Sequence, residues 1–234
     1  MGKMKKNTYV IGDVHGCYNT LLKLVSKLPI DSDLIFVGDL CDKGMYSKEV
    51  IEFVINNNYR CIKGNHEHYM FLNIENALYR NIQSKWSTDS IRYGGPQTIS
   101  NYKNDDKLLK KHLNWITKLP SYILIDKYFI THGYGLPYYQ RRNECKSKKI
   151  LLTNRLVNSK YEDDWEDVSE NNIINIFGHC ASDEVLIGKD YYGIDTGCIY
   201  GKKLTAIELG SMKIIQVNIE DAEICDGIIQ DKSK

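Results

Sequence analysis

Asn65, His66, Glu67 and His68 stand in a row in the stretch KGNHEHYM, an amide and two imidazoles with a carboxylate between them. Side chains of these types can ligate a divalent ion, hold an imidazole ready to deliver a proton, or simply close a surface turn. The rest of the chain bears on the choice, because the figure recurs. Short apolar runs end abruptly in glycine or threonine, with a polar residue next: YVI before Gly12-Asp13-Val14-His15, LIFV before Gly38-Asp39, RCI before Lys63-Gly64-Asn65, YFI before Thr131-His132, and INIF before Gly178-His179. One Gly-Asp is a turn, and one histidine after a strand is a structural histidine. Five repetitions argue for a shared place to which Asp13, His15, Asp39, Asp42, Asn65, His66, His132 and His179 contribute. Carboxylates, imidazoles and one amide oxygen form a mixed O/N donor set, suited to Mn²⁺, Fe²⁺ or Zn²⁺ and unlike a thiolate site. The donors exceed what one tetrahedral ion needs. Two ions bridged by a carboxylate fit better, an arrangement that serves displacement at phosphorus.

These residues need elements that bring them together. Runs of four residues rich in Ile, Val, Phe and Tyr read as buried strands, and a glycine at each end permits a sharp turn. Leu21, Leu24, Val25 and Leu28 fall on one helix face, and Ser47 suits the cap of a helix carrying Val50, Ile51, Val54 and Ile55. The first 62 residues therefore alternate strand and helix, as βαβ units do. Residues 68–118 read as mainly helical, broken at Gly94-Gly95-Pro96, and strands are expected at 122–125, 128–131, 174–177, 191–194, 204–208 and 213–219. The fold class expected is α/β, and strand ends on one edge of such sheets are where ligands bind.

Composition agrees with a soluble globular chain. At 234 residues with 42% hydrophobic content, one domain spanning 1–234 is expected, with a core over about 8–220 and a short frayed tail. A formal charge of +1 gives no global attraction for nucleic acid or an anionic membrane. Seven cysteines without a CxxC pair suggest reduced thiols. The start of the chain has no apolar signal-like core, Lys6 stands where a myristoylation signal needs Ser or Thr, and no apolar run is long enough to span a bilayer, so a cytoplasmic location is expected. The basic cluster Arg141, Arg142, Lys146, Lys148 and Lys149 reads as a solvated loop, although residues 133–150 could also form a lid over substrate. The acidic run at 162–167 reads as a solvated face.

GDVHGCYNTL, GDLCDKG, KGNHE, TH, GH and DTGCIYGKKLTAI, in this order, resemble the phosphoprotein phosphatase (PPP) branch of the calcineurin-like metallophosphatases, whose pattern is GDxHG, GDxxDRG and GNHE followed by two histidines. The likeness runs from about residue 8 to 208 and is greatest to the short bacterial and bacteriophage serine/threonine phosphatases of the lambda type, whose W…GG…T stretch is echoed by Trp86 and RYGGPQT. It implies a β-sandwich of mixed sheets flanked by helices, in αββα layers, and a pair of divalent ions, Mn²⁺ foremost. By motif position, Asp13 and His15 would hold the first ion, Asp39 would bridge, and Asn65, His132 and His179 would complete the second. A water between the ions would attack phosphorus without a covalent intermediate. His66, oriented by Asp42, would be the general acid, and Glu67 would fix its loop. No role follows for His68.

Two departures stand out. Lys43 replaces the family's phosphate-gripping arginine, keeping charge but losing the bidentate fork. Arg155, in ILLTNRL, matches a second phosphate arginine, with Thr153 where the short phosphatases have tryptophan. Asp195-Thr196-Gly197 also spells an aspartic protease signature, but such an enzyme needs two copies, and a supporting role is the simpler reading. The expected activity is a phosphomonoesterase acting on phosphoserine or phosphothreonine in a protein or peptide. The alternatives are a symmetrical diadenosine tetraphosphate hydrolase or other small nucleotide phosphatase, which usually reads GNHD, and a non-catalytic phospho-binding module.

Overall fold

The computed structural model describes residues 7–156 and 172–223. The acidic run at 162–167 and the chain beyond 223 lie outside the described residues. Three parallel strands come first: β1 (Thr8–Ile11), β2 (Asp33–Phe36) and β3 (Arg60–Cys61), joined through α1 (Tyr18–Val25) and α2 (Ser47–Asn56). This is the βαβ alternation the sequence predicts. β9 (Lys203–Glu208) and β10 (Ile214–Asn218) form an antiparallel hairpin that adds to β1, giving the order β10-β9-β1-β2-β3. The second sheet is β4-β5-β6-β8-β7, from β4 (Tyr122–Ile125), β5 (Tyr128–Thr131), β6 (Ile174–Phe177), β7 (Leu186–Ile187) and β8 (Tyr191–Gly193). β5, β6 and β8 run parallel, and β4 and β7 are antiparallel edges.

Side chains alternate across each strand and define four layers. Val10, Ile35, Ile62, Ile130, Ile176 and Ile207 meet between the sheets. Tyr9, Ile11, Leu34 and Phe36 face the other way, against Leu21, Leu24, Val50, Ile51 and Val54 of α1 and α2. Phe129 and Phe177 face the outer side of the second sheet, packed with Tyr134, Leu136, Tyr138 and Leu151. The expected helix–sheet–sheet–helix layering is the one observed.

The helical region resolves into α3 (Asn65–Tyr79), α4 (Lys85–Thr88), α5 (Gly95–Tyr102) and α6 (Asp106–Thr117), followed later by α7 (Cys145–Ile150). Gly94 caps α5 at φ 76°, and Gly95-Pro96 opens it, so the predicted break is a helix start. Three local expectations need correction. Ser47 is the first helical residue and not the cap, and its hydroxyl accepts from Asp42 N at 3.0 Å. Leu28 is buried but lies past α1, because the following Pro29 disfavours helix at that position. Residues just past 220 are docked: the carboxylate of Glu223 accepts from Asn19 N, Thr20 N and Thr20 Oγ1 at 2.6–2.9 Å, tying the end of the second half to the start of α1.

Among the described residues no helix is long and apolar enough to cross a membrane. Arg141 and Arg142 lie half-buried against the rings of Tyr138 and Tyr139, while Lys146, Lys148 and Lys149 are exposed.

Candidate active site

All five strand ends open onto one side of the two sheets, and a cavity of about 640 Å³ lies there. Asp13, His15, Asp39, Lys43, Asn65, His66, Arg155 and His179 line it. His132 and Asp42 stand behind this wall, both fully buried. Every candidate site residue thus falls at or directly behind one cavity. The basic cluster at 141–149 does not line it, so the alternative of a lid over substrate gains no support.

The backbone turns hard to achieve this. His15 (φ 48°), Asp39 (51°), Asp42 (70°), Lys43 (66°) and His179 (62°) all adopt the left-handed region, at a cost of about 1–2 kcal/mol each for a residue with a side chain. Packing holds them there. Glu67 does much of it: its carboxylate accepts from Asp39 N (2.9 Å), Leu40 N (2.7 Å) and Gly64 N (2.8 Å), joining the turn after β2 to the start of α3. Burial raises the Glu67 pKa, with nearby Asp39 adding to the push. Two glycines are required by contact. A Cβ on Gly64 would sit 2.2 Å from Asp39 Oδ1, and one on Gly178 would sit 2.0 Å from Asp13 Oδ1.

The imidazoles are oriented from behind. His15 Nδ1 meets Cys41 O at 2.9 Å, and His132 Nδ1 meets Val37 O at 2.8 Å. A carbonyl oxygen can only accept, so each Nδ1 carries a proton and each ring turns its Nε2 toward the cluster, where it can ligate an ion once any proton of its own is lost. His15 Nε2 lies 3.6 Å from Asp39 Oδ2, and His132 Nε2 lies 3.3 Å from Asp39 Oδ1 and 2.8 Å from Asn65 Oδ1. Candidate ligand atoms gather into two groups that share Asp39: His15 with Asp39 and His66, and Asp39 with His132 and His179. Asp13 is held at the junction, accepting from His179 N at 3.1 Å.

Charge in this cluster is unbalanced in the direction a cation would correct. Burial, then the neighbouring Asp195 and Asp39, push the Asp13 pKa well above the usual carboxylate range. Burial would raise Asp39 as well, but the imidazoles of His132 and His66 outweigh it and hold that group well below the range. Burial and then the His132 ring push His179 down to about 3, so it stays neutral and able to ligate. Oriented Nε2 atoms, a shared carboxylate and crowded acids fit a divalent metal centre.

His66 is built differently. Its Nδ1 meets Asp42 Oδ2 at 2.8 Å, and Asp42 is itself saturated: Trp86 Nε1 donates to Oδ2 at 2.7 Å and Thr98 Oγ1 donates to Oδ1 at 2.6 Å. The W…GG…T echo therefore has a physical meaning, since Trp86 and Thr98 anchor the carboxylate that orients His66. His68 is half-buried on α3, with its ring 6.4 Å from that of Tyr69, and takes no part in the cavity wall.

Lys43 is 5% exposed, and its Nζ lies 3.2 Å from His15 Nε2 and 3.1 Å from the Tyr200 hydroxyl. Burial works against its charge, but Tyr200 and Asp39 outweigh that and raise its pKa. Arg155 reaches the cavity from an exposed position. Sequence reasoning did not find Tyr69, Ile91, Arg92, Tyr93 and Tyr200 on the same wall; Asp195, read as supporting, lies beside Asp13 and pushes on its charge. The proximity of Arg92-Tyr93 to Gly94-Gly95 was the available signal.

Mixed sheets with strand-end carboxylates and imidazoles around a cation-lined cavity define a metallophosphoesterase. The calcineurin-like phosphoesterase model matches residues 6–207, and the chain belongs to that family. Bis(5'-nucleosyl)-tetraphosphatase PrpE [asymmetrical] of Anoxybacillus flavithermus is 28% identical over 89% of this chain and 92% of its own length. The protein of the same name from Geobacillus sp. is also 28% identical, with the same coverage of both chains. A crystal structure of a candidate diadenosine tetraphosphatase superimposes with a TM-score of 0.63 at 21% identity, covering 92% of this chain and 94% of the other. A protein serine/threonine phosphatase from Saccharomyces cerevisiae gives 0.62 at 18%, covering 94% and 81%. At these identities the two structures speak to fold alone.

Proposed function

We propose that the chain is a metal-dependent hydrolase of dinucleoside oligophosphates that cuts next to one nucleoside end, releasing a nucleoside monophosphate and the remaining nucleoside oligophosphate. The observation that carries this reading is the distribution of positive charge. Lys43, Arg92 and Arg155 face the same cavity as the donor cluster. One phosphomonoester does not need three cations beside a metal centre. An oligophosphate bears negative charge at every phosphorus and is long enough to meet them in turn. The names of the relatives support the same substrate class. This reading replaces phosphoserine or phosphothreonine as the leading substrate, and the asymmetrical cleavage in those names replaces the symmetrical one.

Asp13, His15 and Asp39 would hold one divalent ion and Asp39, Asn65, His132 and His179 a second, with Mn²⁺ the ion we expect. When bound, such ions neutralise phosphate charge and make water a nucleophile near neutral pH. The chain's own groups do the rest. His66, with Nδ1 tied to Asp42, presents Nε2 to the cavity and gives a proton to the oxygen that departs as the P–O bond breaks. Trp86 and Thr98 keep Asp42, and through it the ring, from turning. Lys43, Arg92 and Arg155 take the phosphates that do not react. The partner this implies is a small nucleotide, with no nucleic acid or membrane, and a cytoplasmic location suits it.

The test is product analysis. Metal-stripped protein, resupplied with Mn²⁺ and diadenosine tetraphosphate, is expected to yield ATP and AMP in equal amounts. Two ADP would overturn the asymmetry. No turnover of the dinucleotide alongside release of phosphate from a phosphothreonine peptide would return the protein phosphatase reading.

A further inference from the structure

We infer that Tyr69 and Tyr93, with Arg92 beside them on the phosphates, form a nucleobase subsite on the leaving-group side of the reacting phosphorus, an inference that rests on the oligophosphate reading above. The groups make a continuous row outward from the proton donor. The His66 and Tyr69 ring centroids are 5.8 Å apart at 70°, and those of Tyr69 and Tyr93 are 5.7 Å apart at 76°. The Arg92 guanidinium carbon stands 5.7 Å from the Tyr93 ring centre. All of them line the cavity, both tyrosines are half-buried, and Ile91 beside them is 44% exposed.

Two elements supply the row. Tyr69 follows His66 by three residues in the first turns of α3, so the two share a helix face. Arg92 and Tyr93 come from the turn before α5, which is pinned to the catalytic loop because Lys43 N donates to Gly94 O at 3.3 Å. The starting point of the row gives its side. His66 is placed to protonate the departing oxygen, so groups extending past it accompany the part of the substrate that leaves. Around Arg155, His179 and Ala181 the cavity offers no comparable aromatic row among the described residues. Rings recognise a base by its π-face, which every base has, so adenine and guanine should bind alike. Arg92, next to the outer ring, is placed to pair with the phosphates of the same nucleotide.

Calorimetry on the Mn²⁺-loaded protein with ADP and with inorganic pyrophosphate tests this without requiring turnover. Wild type is expected to bind ADP about tenfold more tightly than pyrophosphate, with GDP within about threefold of ADP, as one stacked base implies. Tyr93→Ala should bring the ADP-to-pyrophosphate ratio close to one, and Tyr93→Trp should restore it. A purely structural role for the row would lower the melting temperature of Tyr93→Ala and leave the ratio intact, which would overturn the inference. So would equal binding of ADP and pyrophosphate by wild type. A preference for a phosphopeptide with an aromatic neighbour over ADP would assign the row to a peptide instead. Loss of diadenosine tetraphosphate turnover with the ADP preference intact would strike the proposed reaction and leave the subsite standing.

Discussion

Asp42 accepts three side-chain hydrogen bonds, and one of them decides how His66 behaves. An imidazole with its Nδ1–H held in this way has Nε2 free for proton transfer and cannot swing to ligate through Nδ1. A proton donor matters in proportion to how badly the leaving oxygen needs a proton. His66→Asn should therefore cost about 10²–10³-fold in kcat/KM on phenyl phosphate and about tenfold or less on p-nitrophenyl phosphate, whose leaving group departs as a stable anion. Equal losses on both esters would remove His66 from the proton-transfer step. Lys43 supports a second prediction. Its ammonium stands 3.2 Å from the His15 nitrogen that a metal ion would need, so ion and ammonium compete for one lone pair. Lys43→Met should tighten one of the two Mn²⁺ binding steps about tenfold, read by titration calorimetry, and weaken inhibition by inorganic phosphate by a similar factor. Unchanged Mn²⁺ affinity would show that Lys43 does not contest the site. Residue identity was the most legible level in the sequence, because Asp, His and Asn after an apolar run announce their chemistry. The left-handed backbone at His15, Asp39, Asp42, Lys43 and His179 was not legible, since local propensity would assign that conformation to glycine.

At the level of elements, the site depends on two strand-end turns staying in register. Glu67 joins the turn after β2 to the first turn of α3 through three backbone N–H groups, and all of its partners are buried. Glu67→Gln keeps the shape but turns part of the acceptor into a donor facing N–H groups. Leaving such groups unsatisfied costs about 2–3 kcal/mol, and the turn that carries Asp39 should loosen with it. Urea denaturation of the metal-free variant would show the lost stability, and Mn²⁺ titration the weakened site. A loss below about 0.5 kcal/mol would mean that Glu67 is not what locks the two turns. The strands and the first two helices could be read from period and glycine placement. β7 could not, because two residues, Leu186 and Ile187, are too short a run to carry a pattern. Tyr69, Arg92 and Tyr93 reach the cavity only because α3 and the turn before α5 pack together, and no spacing within either segment encodes that contact.

Across the whole molecule, the helices over the first sheet are joined by a polar chain that is buried at Tyr102 and His112 and reaches the half-buried Glu52. His112 of α6 is fully buried, with Nδ1 2.6 Å from the Tyr102 hydroxyl of α5 and Nε2 2.7 Å from Glu52 Oε1 of α2. A neutral ring satisfies both contacts, donating from Nε2 to the carboxylate and accepting at Nδ1 from the phenol. A second proton, on Nδ1, would take away the acceptor of the Tyr102 hydroxyl hydrogen. Burial pushes the His112 pKa down and outweighs the upward pull of Glu52. Its folded pKa lies below the unfolded value near 6.5, so the unfolded chain takes up the proton first. The stability it contributes is fully present above about pH 6.5 and is lost as pH falls toward the depressed folded value. Between pH 7.5 and 5.5 exposed carboxylates stay ionised, and the buried site acids whose pKa values are raised, Asp13 and Glu67, are common to wild type and a His112 variant, so the difference between the two proteins isolates His112. His112→Gln should be about 1–3 kcal/mol less stable than wild type at pH 7.5 and should lose less on going to pH 5.5. Urea unfolding of both proteins at the two pH values, with Mn²⁺ present to hold the site histidines, decides it. Parallel pH curves would show that the ring keeps its proton balance on folding, and that the junction of α2, α5 and α6 is held by packing alone.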